Sequence, residues 1–350
     1  MIHQDIAPAP SSELLMRAED LKVHFPIRRG VLKRVVGHVK AVDGITLDIR
    51  AGETLSVVGE SGCGKTTLGQ ALVRVLEPTA GRIEYAKRGE QPADIAHLSE
   101  TELRPYRSDI RMIFQDPFAS LNPRRRVIDI IGESLRNFGV TDEREVESRV
   151  ADLLRKVGLR PEYMARYPYA FSGGERQRIG IARALAVHPR LVVADECVSA
   201  LDVSIQAQTL NLMQDLQEEF ALTYVFISHD LSVVEYISDR VAVMYAGRIV
   251  ELSDTEPLFA QPCHPYTAAL LAAVPRPDPR RARTRQQMRL KGEVADPANR
   301  PPGCAFHPRC PFAADRCRSE DPQLRAVGAS MVACHFAESL DLKGVNADAA

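Results

Sequence analysis

The sequence predicts an α/β fold in which a parallel β-sheet forms the core and a helical piece is inserted into the chain. Two observations support this prediction. Short apolar runs have the length of strands that are buried on both faces, as in parallel sheets: Leu55–Val58, Ile110–Phe114, Leu191–Ala194 and Tyr224–Ile227. Between them the pattern is mainly helical from Ile128 to Leu185, with amphipathic stretches such as Val146–Val157.

The first 58 residues are predicted to be rich in β-structure. Leu21–Phe25 and Ile45–Ile49 alternate between apolar and polar residues, which is typical of half-buried strands. The run Leu55–Val58 ends at a glycine, and a helix is expected over Thr66–Val75, closing at Pro78.

Composition indicates a globular protein. The chain has 350 residues, of which 45% are hydrophobic and 26% are charged, and its 45 basic and 46 acidic residues give a net charge of −1. This balance does not suggest a dedicated nucleic-acid binder. No stretch approaches the roughly 18 apolar residues of a membrane-spanning helix, and the first residues do not resemble a secretory signal, so we expect a cytosolic protein.

A phosphate-binding loop follows the run Leu55–Val58. The pattern G-x-x-x-x-G-K-[ST] is complete, and the predicted nucleotide-contacting residues are Gly59, Glu60, Ser61, Gly62, Cys63, Gly64, Lys65, Thr66 and Thr67. Glycines let successive backbone N–H groups turn toward an anion, and the following helix adds its partial positive charge. Lys65 is expected to reach the β- and γ-phosphates, and the Thr66 hydroxyl to bind Mg²⁺. The alternative, a plain glycine-rich turn, does not account for the Lys-Thr pair.

Two carboxylates end the apolar run at Leu191–Ala194. Asp195 is the predicted Mg²⁺ ligand, since this hard cation prefers oxygen donors. Glu196 is the predicted general base that polarises the attacking water. An ordinary acidic pair on the surface is the alternative. The presence of a phosphate loop in the same chain counts against it, because such loops work together with a carboxylate at the end of a strand.

A second predicted phosphate-binding surface is formed by Ser172, Gly173, Gly174 and Glu175 at the start of a helix. With this segment the chain resembles an ATP-binding cassette (ABC) protein, whose signature is Ser-Gly-Gly-Gln, and Glu175 replaces the commoner Gln. The resemblance implies a phosphate-loop core with an antiparallel β-subdomain and a helical subdomain. It also implies that the signature of one subunit closes over the nucleotide of another.

The other family markers follow in order. Gln115 resembles the Q-loop residue that contacts Mg²⁺ and the attacking water, and Ser199–Asp202 resembles the D-loop, with Asp202 near the nucleotide. His229 resembles the switch histidine that contacts the γ-phosphate. Phe25 is the candidate for stacking on adenine, with a core phenylalanine as the alternative.

Several stretches narrow the resemblance to the ATPase subunits of oligopeptide/dipeptide importers. They include Gln115–Pro123, Ser199–Gln208 and His264–Thr267. The sequences of the first two stretches resemble that of the second of the two non-identical ATPases in such importers. The resemblance implies a heterodimer with a sister ATPase, two permeases and an extracytoplasmic binding protein, at the cytoplasmic face of the inner membrane. Phe118 and Phe138 are candidate permease contacts, with subdomain core as the alternative.

The resemblance also divides the chain. A disordered N-terminus is expected at residues 1–13 and a nucleotide-binding domain at 14–258, with its helical subdomain at about 115–185. A C-terminal extension is expected at 259–337 and a flexible tail at 338–350. Within the extension, residues 275–303 are rich in Pro and Arg and are predicted to form a linker.

Seven cysteines are present, and four of them are clustered: Cys304, Cys310, Cys317 and Cys334. A segment with so little apolar core folds best around a metal, and the chemistry leaves zinc and an iron–sulfur cluster open. Peptide-importer ATPases share this segment, and the resemblance implies a [4Fe–4S] cluster, with zinc or reduced structural thiols as alternatives. Cys63 and Cys197 lie within nucleotide motifs and are predicted to be packing residues.

The function predicted from these residues is ATP hydrolysis that powers peptide import. A cassette ATPase of DNA repair or of the ribosome is the competing prediction, but such proteins usually carry two cassettes or a long coiled-coil insertion. A scaffold without catalysis is a second alternative, and the presence of Glu196 and His229 counts against it.

Overall fold

The computed structural model describes residues 13–30, 33–116, 119–274 and 295–344. These residues divide into two compact units. The helical unit comprises residues 13–16, 48–54 and 84–226, and the phosphate-loop unit comprises residues 17–47, 55–83 and 227–344. Each unit is described by itself.

The strands and helices of the described residues have the following bounds. The strands are β1 Leu14–Arg29, β2 Arg34–Arg50, β3 Thr54–Val58, β4 Ala80–Tyr85, β5 Ala93–Asp94, β6 Ile110–Ile113, β7 Leu191–Asp195, β8 Thr223–Ser228, β9 Arg240–Tyr245, β10 Arg248–Asp254, β11 Arg325–Val327 and β12 Ser330–Val332. The helices are α1 Lys65–Leu72, α2 Glu100–Leu103, α3 Val127–Asn137, α4 Glu143–Lys156, α5 Gly173–Leu185, α6 Val203–Phe220, α7 Leu231–Ile237, α8 Thr255–Ala260, α9 Pro265–Ala272 and α10 Asp315–Ser319, with 3₁₀ turns at Pro161–Ala165 and Pro168–Ala170.

The phosphate-loop unit is built on two sets of strands. In one set β2, β1 and β4 are neighbours, and in the other the order is β11, β12, β10, β9 and β3. Strand β3 runs parallel to β9, with Leu55 opposite Arg240 and Val58 opposite Val243. Both strands are buried along their whole length, as expected for parallel strands covered on both faces.

The C-terminal extension belongs to the phosphate-loop unit. Strand β12 pairs antiparallel with β10, and Glu251 faces Val332 in that register. Phe306 of the extension is 1% exposed and packs in the same apolar cluster as Val58, at the end of β3. Leu342 is 3% exposed, so the packed part of the extension continues into the first residues of the predicted flexible tail.

The helical unit combines a strand pair with a group of helices. Strand β6 is parallel to β7, with Ile110 opposite Leu191. Helices α3, α4 and α5 pack on one another. Helix α4 shows why this occurs: its buried residues recur every three or four positions, and the Asp142 carboxylate caps its first turn by accepting the Arg144 N–H at 3.0 Å.

The predicted strands at Leu55, Ile110, Leu191 and Tyr224 are confirmed within one residue or two, as β3, β6, β7 and β8. The helix after the phosphate loop ends at Leu72, earlier than predicted, since Val73 closes it. Strands β4, β5 and β9 to β12 were not predicted. The linker over residues 275–294, the first twelve residues, the last six and Phe118 lie outside the described residues.

No helix in the described part of the chain combines the length and the apolar character needed to cross a bilayer.

Candidate nucleotide-binding and hydrolysis site

The phosphate loop connects β3 to α1 in a conformation that needs glycine at two positions. Gly59 has a φ of +152°, and a Cβ atom there would lie 2.2 Å from the Met244 carbonyl oxygen. Gly64 has a φ of +105°, and its Cβ would lie 1.9 Å from the Ala41 oxygen. Gly64 is also the residue before α1, and its carbonyl accepts the Leu68 N–H at 2.9 Å. The loop is therefore fitted against its surroundings at both ends.

The Lys65 ammonium is held inside this loop. Its Nζ donates to the Gly59 oxygen at 2.7 Å and to the Glu60 oxygen at 3.1 Å, and the residue is only 5% exposed. Thr66 and Thr67 are half-buried in the first turn of α1, while Ser61 is exposed. A cation enclosed by a loop at a helix N-terminus is suited to bind a polyphosphate.

His229 follows directly on β8 and is exposed. Its neighbours form the start of α7: the Asp230 carboxylate caps the helix by accepting the Ser232 N–H at 2.9 Å, and the Asp230 N–H donates to Ser228 Oγ at 3.0 Å. The backbone on the C-terminal side of the histidine is thus fixed while its ring stays accessible.

In the helical unit, Asp195 is the last residue of β7 and Glu196 follows it directly. Asp195 is 3% exposed, and Glu196 is half-buried. Gln115 Nε2 donates to Glu196 Oε2 at 2.8 Å, so the structure brings the Q-loop amide onto the predicted general base. A water held by these two side chains would be polarised by the carboxylate and oriented by the amide.

Glu196 also has an unusual backbone. Its φ is +45°, in the left-handed region that non-glycine residues seldom adopt. The N–H and the hydroxyl of Ser199 both donate to the Glu196 carbonyl oxygen, at 3.1 and 2.9 Å. The D-loop serine therefore holds the residue in a conformation that costs on the order of 1–3 kcal/mol, and such strain is concentrated at functional sites.

The signature residues form a reciprocal cap on α5. The Glu175 N–H donates to Ser172 Oγ at 3.3 Å, and the Ser172 N–H donates to Glu175 Oε2 at 2.9 Å. The Ser172 hydroxyl lies 2.9 Å from the same carboxylate oxygen. Glu175 therefore stabilises the signature helix as part of a capping box.

We expect Glu175→Gln to keep this cap while changing the charge of the signature. A glutamine oxygen can accept the Ser172 N–H, so the melting temperature should stay unchanged. The resemblance implies that this signature closes over the nucleotide of a second cassette, and ATP-dependent association with such a cassette should then strengthen roughly threefold to tenfold, because a negative charge is removed where a phosphate is expected. Analytical ultracentrifugation with and without MgATP measures the association.

Glu175→Ala is the comparison for that variant, since it removes both the charge and the cap. It should cost about 1 kcal/mol of stability. If both variants had the same melting temperature, below that of the wild type, the prediction that glutamine at position 175 keeps the cap would be contradicted.

Two further predicted nucleotide contacts have defined surroundings. Asp202 caps α6, its Oδ1 accepting the Ile205 N–H at 3.0 Å. Phe25, in β1, is 41% exposed, so it is not the core phenylalanine that was the alternative to adenine stacking. Phe138, the candidate permease contact, is 36% exposed at the end of α3.

The four clustered cysteines line one cavity of the phosphate-loop unit, together with His264. Burial raises the pKa of Cys304 to about 12 and that of Cys310 to about 11. Within the described ranges no three His, Cys, Asp or Glu side chains are arranged to hold a metal ion. The predicted iron–sulfur or zinc site thus gains no support from the side-chain arrangement. Cys63 and Cys197 are buried at 1% and 2% exposure, as packing residues would be.

Sequence reasoning missed two residues that contact the phosphate loop. Tyr266 and Arg309 both bind Glu60, although they lie 206 and 249 positions further along the chain. No local pattern marks either residue as a contact of the phosphate loop, because this contact forms only in the folded chain.

Comparison with known families agrees with these motifs. The family model described as ABC transporter matches residues 42–199. The model described as the oligopeptide/dipeptide transporter, C-terminal region, matches residues 250–317. The cassette model thus includes the phosphate loop, the signature and the two carboxylates, and the second model includes Cys304, Cys310 and Cys317.

Individual proteins are similar over nearly the whole chain. The oligopeptide transport ATP-binding protein AppF of Bacillus subtilis is 52% identical over 94% of this chain and 99% of its own length. The di/tripeptide transport ATP-binding protein DppF of Pseudomonas aeruginosa is 48% identical over 93% of this chain and 98% of its own.

Solved structures of cassettes have the same fold. The dimeric ATP-binding cassette MJ0796, in a post-hydrolysis state bound to ADP and Pi, superposes with a TM-score of 0.60 at 25% identity, over 69% of this chain and 99% of that one. On these grounds the chain belongs to the ATP-binding proteins of ABC transporters, in the group with an oligopeptide/dipeptide transporter C-terminal region, and it is an ABC-type ATPase.

Proposed function

We propose that this chain hydrolyses ATP to power the import of peptides, or of a related small solute, through a membrane transporter. The observation that carries the proposal is the presence of the cassette match and the oligopeptide/dipeptide C-terminal match in one chain, at residues 42–199 and 250–317. AppF and DppF, which share about half of its residues, are named for oligopeptide and di/tripeptide transport. Their names favour transport over a role in DNA repair or translation.

In the proposed reaction, Lys65 and the amides of residues 59–67 bind the phosphates, and Phe25 stacks on the adenine. Glu196 accepts a proton from a water molecule as the water oxygen bonds to the γ-phosphorus, and Gln115 orients that water. The bond between the γ-phosphorus and the β,γ-bridging oxygen breaks, so the products are ADP and inorganic phosphate. His229 contacts the γ-phosphate. Thr66, Gln115 and Asp195 would hold Mg²⁺, and their oxygen donors fit this hard cation, which supplies positive charge against the transferring phosphoryl group.

The proposed partners follow from the composite nature of cassette sites. Ser172, Gly173, Gly174 and Glu175 are proposed to contact the nucleotide of a sister ATPase, with Asp202 of the D-loop nearby. The dimeric state of MJ0796 supports an arrangement in which nucleotide is bound between two cassettes. Two permeases would hold the pair at the cytoplasmic face of the inner membrane, and an extracytoplasmic binding protein would select the cargo.

Co-purification followed by reconstitution tests this function. The full-length chain, extracted in detergent, should be recovered with two multi-span proteins and a second cassette protein. In liposomes the complex should hydrolyse ATP faster when a peptide-loaded binding protein is added than when the same binding protein is empty. Recovery without membrane partners, or on ribosomes, would contradict the transport function.

We also propose the cavity lined by Cys304, Cys310, Cys317 and Cys334 as the place of a [4Fe–4S] cluster, with zinc as the alternative. The donor type fits, since both groups bind thiolates and the four sulfurs share one cavity. The side-chain arrangement adds no support, because among the described residues no three donors converge as they would around a metal ion. No step of the reaction depends on this group.

Metal analysis of anaerobically purified full-length protein decides this question. Iron and acid-labile sulfide in equal amounts, lost in Cys310→Ser and kept in Cys263→Ser, would support the cluster, and zinc with the same pattern would support the alternative. Cys263 is the matched control, since it does not line the cavity. Protein with neither metal would leave reduced structural thiols.

A further inference from the structure

Glu60, the second residue of the phosphate loop, is held by the C-terminal extension. Arg309 donates from Nη1 to Glu60 Oε2 at 2.6 Å and from Nη2 to Glu60 Oε1 at 3.0 Å, a two-point ion pair. The Glu60 N–H donates to the Tyr266 hydroxyl oxygen at 2.8 Å. Since the Glu60 carbonyl accepts from Lys65, every polar group of this loop residue is engaged.

Arg309 is itself fixed by the core. Its side chain is 6% exposed, and its guanidinium lies 5.9 Å from the centre of the Tyr245 ring. The backbone N–H of Arg309 donates to the Phe306 carbonyl oxygen at 3.0 Å. Phe306 packs against the rings of Tyr245 and Tyr266, with centroid separations of 5.3 and 5.4 Å. The guanidinium thus lies beside Tyr245 and the Arg309 backbone is bound to Phe306, both of which belong to one buried aromatic cluster with Tyr266.

The charge balance explains why the pairing matters. A carboxylate next to a polyphosphate site repels the ligand unless a cation neutralises it. The hydrogen bonds to Glu60 raise the pKa of Arg309, so this cation is always charged. Removing one partner of a mostly buried ion pair leaves the other charge without compensation. Glu60 would then turn away toward water, and the loop would move with it.

We propose that Arg309 and Tyr266, which lie in the C-terminal extension, are positioning residues of the phosphate loop and set its affinity for ATP through Glu60. Both act through their contacts with Glu60, and neither is assigned a direct contact with the nucleotide. The extension, which carries the cysteine cavity, is thereby part of the machinery that binds ATP. This inference rests on the ATPase function described above.

The test measures binding of MgATP to the full-length chain by isothermal calorimetry, at a temperature well below the melting transition. Arg309→Ala should weaken binding roughly tenfold or more, and Tyr266→Phe, which keeps the ring and removes the hydroxyl, about fivefold. Arg316→Ala is the matched control. Arg316 is also an arginine of the extension, paired with Glu320 on the surface at 56% exposure, and its variant should bind like the wild type.

A positioning role predicts two further readouts that a general loss of stability would not give. In the hydrolysing complex, KM for ATP should rise in Arg309→Ala while kcat at saturating ATP stays close to that of the wild type. In a Glu60→Gln background the additional effect of Arg309→Ala on affinity should be much smaller than in the wild type, because the carboxylate with which the guanidinium pairs is already absent.

The outcomes separate this inference from the function on which it rests. Normal MgATP binding by the wild type, with unchanged affinity in Tyr266→Phe and in a folded Arg309→Ala, would overturn the inference alone. Fully additive effects of Glu60→Gln and Arg309→Ala would also overturn it. If Arg309→Ala fails to fold, unchanged affinity in Tyr266→Phe suffices for that conclusion. Failure of the wild-type chain to bind MgATP would contradict the ATPase function itself.

Discussion

Replacement of Glu196 by Gln is expected to leave MgATP bound while lowering kcat about 10²–10⁴-fold. Glutamine has nearly the same shape, and its amide oxygen can still accept the hydrogen bond that Gln115 Nε2 donates to Glu196 Oε2 at 2.8 Å. The variant therefore keeps the geometry of the site and loses only the ability to take a proton from water. Single-turnover hydrolysis with radiolabelled ATP measures the chemical step, and filter binding measures retention of the nucleotide.

Glu218→Gln is the matched control for this variant, because it makes the same chemical change at an exposed position of α6. Its kcat should equal that of the wild type. Near-normal turnover in Glu196→Gln would remove Glu196 from the role of general base. Loss of MgATP binding in that variant would instead assign the carboxylate to nucleotide binding.

The second large effect is expected for Gly64→Ala in the phosphate loop. The new Cβ would lie 1.9 Å from the Ala41 carbonyl oxygen and 3.1 Å from its carbon, and these are backbone atoms that cannot turn aside as a side chain would. The loop must therefore shift by about an ångström or more. Affinity for MgATP should fall about 10²-fold or further, because the backbone amides that bind the phosphates would be displaced by that distance. Overpacking should also lower stability by about 1–3 kcal/mol.

Gly62→Ala separates the steric cause from the conformational one. Gly62 has a φ of +82°, but a Cβ there would meet nothing within 4 Å. Only the strain of a left-handed alanine remains, on the order of 1–2 kcal/mol. Titration calorimetry on both variants should show a much larger loss of affinity for Gly64→Ala. Equal losses would mean that backbone freedom, and not the contact with Ala41, decides the requirement for glycine.

The core strands could be predicted where the sequence alone carries the signal. Strand β3 and strand β7 are short, mainly apolar segments, and their length and β-branched residues favour buried strands. Strand β10 could not be recognised in this way, because it contains Glu251. This carboxylate is fully buried and accepts the N–H groups of Cys263 and His264 at 2.7 and 3.0 Å. Its partners come from a later part of the chain, and the folded structure is needed to identify them.

The candidate site shows the same limit on prediction from sequence. The types and order of the reactive side chains could be predicted, since a phosphate loop and a carboxylate pair have a chemistry that local spacing reveals. The Ser172–Glu175 cap follows the pattern S-x-x-E and was available from the sequence as well. The left-handed backbone of Glu196 was not, because it depends on two hydrogen bonds from Ser199.

The pairing of β12 with β10 is one of several contacts that attach residues 295–344 to the rest of the phosphate-loop unit. Asp43 of β2 is 7% exposed and pairs with Arg300 at 3.2 Å and with Arg248 at 3.3 Å. Together with the β10–β12 ladder and Phe306 in the core, this gives residues 295–344 their own set of non-covalent attachments. A single peptide-bond cut between residues 275 and 294 would therefore leave two fragments that remain associated.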